Sequence, residues 1–174
     1  MANYWGIHGL WRDGAETMLT HKVVSFGGVW RSHLPASERR ILPDASDLIR
    51  KGTLRKELER IVADDERTAV ERSAYIGQWV SRIECFVCEM KNGDKIVLPT
   101  TRKDNTFLIG IVIGDYRFAP SFEWHKHVRP VKWVTQVKRQ GLQKRTLRLI
   151  SQAPTFFGIR NPNSELAAIL ERTT

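Results

Sequence analysis

The chain has 174 residues, of which 41% are apolar and 27% charged, and its formal net charge at pH 7 is +9. This length and composition predict a single domain with a packed core and argue against a disordered chain. No apolar run reaches the ~18 residues that a membrane-spanning helix needs, and the first ten residues lack the pattern of a secretory signal. Two cysteines cannot form a disulfide framework, which favours a reducing, cytoplasmic compartment.

Apolar patterning in the first half of the chain predicts short strands followed by helices. An aromatic strand is expected over 3–7, a helix over 16–22 and a second strand over 23–26, whereas the proline-containing segment 30–51 is predicted to be irregular. A helix over 53–62 has an apolar face that is expected to be buried, made of Leu54, Leu58, Ile61 and Val62. A long amphipathic helix is predicted over 66–90, with a stripe of Ile76, Trp79, Val80, Ile83, Phe86, Val87 and Met90.

The second half of the chain is predicted to be rich in strands. The turn residues Lys91-Asn92-Gly93-Asp94 end the long helix. Helices are expected over 142–150 and 163–171, the second with Ser164 available as its N-terminal cap, and strands are expected over 95–99, 106–113, 115–118, 128–134 and 155–159. Strands with inserted helices and no βαβ alternation predict an α+β domain built around a small barrel.

The positive charge is concentrated in one stretch of the sequence. Residues 1–123 contain 18 basic and 17 acidic side chains, whereas residues 124–164 contain nine basic side chains and no acidic one. Clustered Lys and Arg bind polyanions by releasing condensed counterions, so this stretch predicts a nucleic-acid partner. The expected phosphate-binding residues are Lys126, Arg129, Lys132, Lys138, Arg139, Lys144 and Arg145.

Metal-binding and catalytic patterns are weak or missing in the sequence. Cys85-x-x-Cys88 lies within the long helical stripe without a second cysteine pair, and His125-x-His127 has no third ligand nearby. The chain contains no nucleophile-elbow, zinc-protease or phosphate-loop motif. We therefore expect a non-catalytic protein without metal or cofactor.

Six tryptophans are a high number for this length, and Trp79 is the only one that falls on a clear core stripe. Aromatic side chains beside a basic groove form a stacking site for unpaired bases, worth roughly 1–3 kcal/mol per base. A cage of two or three such rings can also select a methylated base. Trp30, after a Gly-Gly turn, and Trp133, in the basic stretch, are the candidates for this role.

Several short segments, in the expected order, carry a resemblance to a known family. Residues 4–7 (YWGI), 28–35 (GVWRSHLP) and 130–134 (PVKWV) resemble segments of YTH domains, which read N6-methyladenine with a PUA-like barrel. Residues 86–99 (FVCEMKNGDKIVLP) and 108–112 (LIGIV) are similar to the EVE-like specificity modules of modification-dependent restriction endonucleases, where the module is fused to a nuclease. The resemblance covers about residues 3–160.

The resemblance implies a PUA-like (EVE/YTH) twisted barrel of about six strands with flanking helices, in a prokaryotic cytoplasmic protein. Its function would be to flip a modified base of DNA, in preference to RNA, into an aromatic cage for a restriction or defence system. Trp30 and Trp133 match two cage walls, and the third is expected from Trp5, Trp11 or Phe157. Polar contacts to the base edge are expected from His8, Asp13, Phe26, Gly27, Gly28, Arg31 and Ser32.

Three other functions are compatible with the sequence. The first is a PUA-like RNA-binding module that does not read modifications. The second is a nuclease or base-processing enzyme on the same scaffold, and the third is a module whose basic face meets an acidic protein. An RNA preference with a steep salt dependence indicates the first, and cleavage in the presence of a divalent metal indicates the second. Failure to bind any nucleic acid, whatever the salt concentration, indicates the third.

Overall fold

A computed structural model describes residues 3–7, 14–26, 29–30, 40–100, 105–122, 126–151 and 156–172. The chain divides into two compact units. The unit here called the sheet unit comprises Met1–Ser25, Lys91–Asp115 and Arg129–Thr174, and the helical unit comprises Phe26–Met90 and Tyr116–Val128. Helices and strands are mixed along the chain, so the α+β prediction is confirmed, while the prediction of a single domain stays a prediction.

Nine strands and six α-helices lie within the described residues. The strands are β1 (Tyr4–Ile7), β2 (Val23–Phe26), β3 (Val29–Trp30), β4 (Arg40–Ile41), β5 (Lys95–Pro99), β6 (Thr106–Val112), β7 (Arg117–Phe118), β8 (His127–Lys138) and β9 (Phe156–Gly158). The helices are α1 (Gly14–Thr20), α2 (Ala45–Arg50), α3 (Leu54–Ile61), α4 (Ala69–Glu84), α5 (Lys144–Ile150) and α6 (Ser164–Glu171). A π-helical turn, Cys85–Glu89, continues α4.

Most predicted elements are present, and several differ from their prediction in detail. Helix α2 lies in the segment predicted to be irregular, because Asp44 caps it by accepting the Ser46 N–H at 2.9 Å. Strand β8 continues to Lys138, four residues beyond its predicted end. The N-cap of α6 is Asn163 rather than Ser164, since the Asn163 side chain accepts the Leu166 N–H at 3.0 Å.

The sheet unit contains most of a seven-stranded sheet, in which six strands follow the order β2-β8-β6-β5-β1-β9 and the short strand β7 pairs with β8. The sheet is curled into a half-barrel. Strands β1 and β5 are parallel, whereas β1–β9, β5–β6 and β6–β8 are antiparallel pairs. One face of the sheet packs on α5 and α6 through a buried cluster of Val97, Phe107, Ile109, Ile150, Phe157, Ile159, Leu166 and Leu170.

The turn between the long helix and β5 is organised by a buried carboxylate. Asp94 is 3% exposed and accepts hydrogen bonds from the Asn3 N–H at 2.9 Å and from the Trp5 indole N–H at 2.8 Å. It also accepts the Lys91 N–H at 3.0 Å, and Gly93 adopts the left-handed conformation, with φ +90°, that the turn requires. The Lys-Asn-Gly-Asp motif thus joins β1 to the start of β5.

In the helical unit, the two predicted apolar stripes form the core. Leu54, Leu58, Ile61 and Val62 of the shorter helix are all buried, as predicted. Ile76, Ile83, Phe86 and Met90 of the longer stripe are also buried, whereas Trp79 is partly exposed. A capping box between Thr68 and Glu71 begins α4. The long helix therefore starts three residues after its predicted first residue.

Candidate functional site

Trp133 is a partly exposed tryptophan with a fixed orientation. Its indole N–H donates to the Met18 carbonyl of α1 at 3.2 Å. Its ring lies over Gly110 of β6, where an added Cβ would come within 2.8 Å of Trp133 Cε3 and closer still to Val131 Cγ1. Glycine at position 110 therefore makes room for the indole on the surface of the sheet.

A bulge in β8 places Trp133 and Gln136 on the same face of the sheet. Trp133 is opposite Gly110 and Gln136 is opposite Leu108, with a register shift between Ile109 and Gly110. Leu108 and Gly110 are two residues apart on β6 and therefore point to the same face of the sheet. Because directly opposed residues of paired strands share a face, Gln136 and Trp133 point to that face as well. Lys138, which is opposite Thr106, also lies on this face. We call Trp133, Gln136 and Lys138 the β8 strip.

The predicted phosphate-binding residues do not form one row. Lys132 is opposite Ile111 and thus lies on the other face of the sheet from the β8 strip. Lys144, Arg145 and Arg148 are exposed on α5, which also packs on that other face. Lys138, Lys144 and Arg145 nevertheless flank the same turn, residues 139–143. Among the residues that the structure describes, none of these cations forms an ion pair.

Arg129 was expected to bind phosphate, and this prediction is wrong. The side chain is 3% exposed and its Nη1 donates to the Gly114 carbonyl at 3.3 Å. A guanidinium that is buried and hydrogen-bonded in this way stabilises the fold and does not reach a ligand at the surface.

Two further cations are held by protein groups, and one carboxylate enters the basic region. Arg139 donates to the Ser151 hydroxyl at 3.0 Å and lies over the Phe107 ring, while Lys126 in the helical unit donates to the Pro120 carbonyl at 2.7 Å. Glu165 of α6 accepts the Gln143 N–H at 3.1 Å and caps the start of α5. The residue that directly follows the acid-free stretch 124–164 thus places a carboxylate beside it.

Two aromatic residues expected at the cage, Trp5 and Phe157, and one expected at the base edge, Phe26, are core residues. Trp5 is 6% exposed, donates its indole N–H to Asp94 and stacks on Phe156, with ring centroids 5.1 Å apart. Phe157 is buried in the cluster that α5 and α6 cover, and its ring lies against Gly6. Phe26, expected near the base edge, is buried with its ring stacked on His127 at 4.4 Å. Trp5 and Phe157 therefore lack the exposed ring face that a cage wall needs.

Other predicted site residues lie outside the described part of the chain. For Trp30 only the backbone, in the β3–β4 pair, is described. The remaining predicted residues that lie outside the described ranges are His8, Trp11, Asp13, Gly27, Gly28, Arg31 and Ser32.

The helical unit contains a buried polar network that is not among the sequence predictions. His127 is 0% exposed, with Nδ1 2.9 Å from the Tyr116 hydroxyl and Nε2 3.2 Å from the Leu42 carbonyl. The same hydroxyl lies 3.1 Å from Asp44 Oδ1 and accepts the Ala45 N–H at 3.1 Å. The network therefore joins β8 to the start of α2. The spacing of these residues in sequence gave no signal, because the contacts to Leu42, Asp44 and Ala45 span more than 70 positions.

Burial determines the charge state of this network. Removal from water lowers the pKa of His127 to about 4 and raises that of Tyr116 above its usual value. Burial would also raise the pKa of Asp44, but hydrogen bonds from Ser46 and Tyr116 hold it below its usual value. At neutral pH His127 is therefore neutral, and its Nε2 carries the proton that the Leu42 carbonyl accepts. The single hydroxyl proton of Tyr116 is then shared between His127 Nδ1 at 2.9 Å and Asp44 Oδ1 at 3.1 Å.

We expect acid to destabilise the protein through His127. In the unfolded chain the His127 side chain is protonated below about pH 6.5, whereas in the folded protein it is protonated only below about pH 4. Stability is thus complete above pH 6.5 and falls by up to about 1.4 kcal/mol per pH unit between pH 6.5 and 4. Urea unfolding at pH 6.5, 5.5 and 4.5 measures this, with His127→Gln as the control. Equal pH slopes in the two proteins would contradict the assignment.

Cys85, the first residue of the cysteine pair, is held as a thiol in this fold. Burial raises the pKa of the Cys85 thiol to about 11, so it stays protonated at neutral pH. Within the described ranges, no group of three His, Cys, Asp or Glu side chains is placed to hold a metal ion. None of the helices in those ranges is both long and apolar enough to cross a bilayer.

The described structure thus defines an α+β protein with an aromatic and cationic strip on its longest strand. The chain belongs to the family described as Domain of unknown function (DUF8426), whose model matches residues 44–153. The matched region includes Asp44, Tyr116 and His127 of the buried network, the β8 strip and α5. The comparisons with curated proteins and with solved structures gave no match.

Proposed function

We propose that the protein is a non-catalytic nucleic-acid reader that binds a modified base, in the first place a methylated base of DNA, by stacking it on Trp133. The observation that carries this proposal is the β8 strip, in which a fixed, partly exposed indole shares a face with a polar and a cationic side chain. Its position within the basic stretch 124–164 supports the same function.

The proposed binding step places the base outside a duplex. Stacking of an unpaired base on an aromatic ring contributes roughly 1–3 kcal/mol, and a rigid ring loses little freedom when it binds. A base within a duplex first has to leave the stack, at a cost of a few kcal/mol. Single-stranded or easily opened sites are therefore the preferred substrates.

Cations near the end of β8 supply the attraction for phosphates. Lys138, Lys144 and Arg145 are exposed on either side of the turn 139–143. Each phosphate contact releases counterions and adds to the salt dependence of binding. These three residues are therefore the phosphate-binding candidates in the proposal, whereas Arg129 is excluded by its burial.

The resemblance to YTH and EVE modules extends the proposal. A PUA-like barrel would provide Trp30 as a second cage wall and the segment around Arg31 and Ser32 for the base edge. By the same resemblance, a fused or associated nuclease is the proposed partner. Selection of a methyl group would come from apolar and stacking contacts in that cage.

Fluorescence titration of short single- and double-stranded oligonucleotides tests the proposal. The set carries one N6-methyladenine, 5-methylcytosine, 5-hydroxymethylcytosine or no modification, in DNA and in RNA. We expect the native protein to bind one modified oligonucleotide more tightly than its unmodified form. Trp133→Ala should remove this difference and weaken binding by roughly 1–3 kcal/mol, and Trp30→Ala should act in the same direction.

Two controls make the result interpretable. Thermal unfolding of each variant shows whether it is folded at the assay temperature, and Trp133→Phe keeps a stacking ring but loses the hydrogen bond to Met18. Equal affinity for all oligonucleotides would overturn the proposed selection of a modified base. Tight binding of RNA regardless of modification would favour the PUA-like RNA-binding alternative.

A further inference from the structure

Gln136 is the one uncharged polar member of the β8 strip, and its amide has a defined orientation. The side chain is exposed, and its Nε2 donates to the Thr106 hydroxyl of β6 at 2.9 Å. Thr106 is 8% exposed, so the surrounding protein holds its hydroxyl in a defined position. The amide is therefore anchored on its nitrogen side.

The hydroxyl protons of two threonines determine which way the amide points. The Thr100 hydroxyl donates to the Thr106 carbonyl at 3.0 Å, and the two hydroxyl oxygens are 2.7 Å apart. The Thr106 hydroxyl must then donate to that of Thr100, which leaves the Thr106 oxygen as an acceptor. A Gln136 amide rotated by 180° would place its carbonyl oxygen against this acceptor, with no proton between them.

Gln136 consequently presents a carbonyl acceptor and one free N–H donor to solvent. Its backbone position is two β6 residues away from that of Trp133, because their partners are Leu108 and Gly110. Two residue steps along a strand measure about 7 Å. This is roughly twice the 3.4 Å rise between neighbouring bases in a stacked strand. When one base stacks on Trp133, the neighbouring base of the same strand can therefore reach Gln136, provided that it is not stacked on the first.

We propose that Gln136 reads the base next to the one that stacks on Trp133 and selects adenine there; this inference rests on the proposed function. An amide presents one donor beside one acceptor. Adenine offers the complementary pair on both of its edges, N6–H with N1 and N6–H with N7. On the major-groove edge adenine is the only base with such a pair, because guanine presents two acceptors there, cytosine a donor and thymine an acceptor beside its methyl group. An amide that meets this edge therefore selects adenine.

The expected discrimination is modest because the site is exposed. A bidentate amide–adenine contact discriminates against other bases by about five-fold at the low end of its measured range. Thr106 acts as a positioning residue in this scheme. Loss of the Thr106 hydroxyl would free the Gln136 amide to rotate. The preference for adenine would then become smaller, although Gln136 itself would still be present to bind the base.

Binding to a panel of single-stranded oligonucleotides tests the inference. Each carries the preferred modified base, with A, G, C or T at the position immediately 5′ or immediately 3′ to it. For the native protein we expect about five-fold tighter binding with adenine on one side. Gln136→Met should abolish this preference while keeping the preference for the modified base, and Thr106→Val should weaken it. Thr135→Met, a change on the opposite face of β8, is the matched control.

The outcomes separate the two proposals. Binding that distinguishes the modified base but not its neighbour would overturn the role of Gln136 alone, as would an adenine preference that survives Gln136→Met. Failure of the native protein to bind any oligonucleotide, or to distinguish the modification, would overturn the proposed function itself.

Discussion

Replacing Lys138, Lys144 and Arg145 together by glutamine is expected to weaken binding of single-stranded DNA about 100-fold at 0.1 M salt. Each phosphate neutralised on a single strand contributes about 0.7 to the slope of log K against log salt, and therefore about five-fold in affinity at this concentration. Because the three cations act on separate phosphates, their individual effects multiply to the stated factor. The slope itself should become smaller by about two.

The matched control removes three positive charges from residues outside the proposed binding surface. Arg55, Lys56 and Lys91 are exposed, lie outside the 124–164 stretch, and can also be replaced together by glutamine. This control should retain most of the native affinity and its salt slope. If both triple variants lose affinity equally, net charge alone attracts the nucleic acid, and the end of β8 is not its binding surface.

Asp94→Ala is expected to destabilise the protein by about 3–5 kcal/mol, because it leaves three buried or partly buried donors without their acceptor. These are the backbone N–H groups of Asn3 and Lys91 and the indole N–H of Trp5. Urea unfolding at pH 7 measures the loss. Trp5→Phe, which removes one donor and keeps an aromatic ring, should cost less.

Asp115→Ala is the control for this substitution. Asp115 is an exposed aspartate of the same unit, and its loss should change stability by less than about 0.5 kcal/mol. A similar small effect of Asp94→Ala would mean that the carboxylate does not organise the turn before β5. The Lys-Asn-Gly-Asp motif would then need another explanation.

The sequence predicted the elements whose signal is local. The stripe of Leu54, Leu58 and Ile61 identified α3, and the apolar run after Gly93 identified β5. Asp44 is an N-cap residue by type, but a six-residue helix after a proline has too short a pattern to be recognised. Short elements of this kind depend on their tertiary contacts.

Features that depend on distant pairing were not predictable. The bulge that brings Trp133 and Gln136 to one face lies where β8 passes Ile109 and Gly110 of β6, and a one-residue change in register would reverse every side chain. Trp133 was identified from its residue type and its resemblance, whereas Gln136 carried no signal. Its partner Thr106 is thirty positions away.

The charge pattern of the sequence does not show which basic side chains are exposed. Composition indicated a basic stretch, but only the structure separates exposed Lys138 from buried Arg129. The two residues are nine positions apart on the same strand. Sequence alone assigns both to a polyanion, because burial of an arginine depends on a carbonyl acceptor that a distant turn provides.

The most direct test of the central claim is a ¹H–¹⁵N spectrum of the native protein titrated with a single-stranded oligonucleotide that carries N6-methyladenine. One of six tryptophan indole signals, assigned as Trp133 by its loss in Trp133→Phe, should shift together with the amides of 132–148. An unmodified oligonucleotide should give smaller shifts at the same concentration. Shifts confined to other parts of the chain, or no shifts at all, would contradict the binding of bases at the β8 strip.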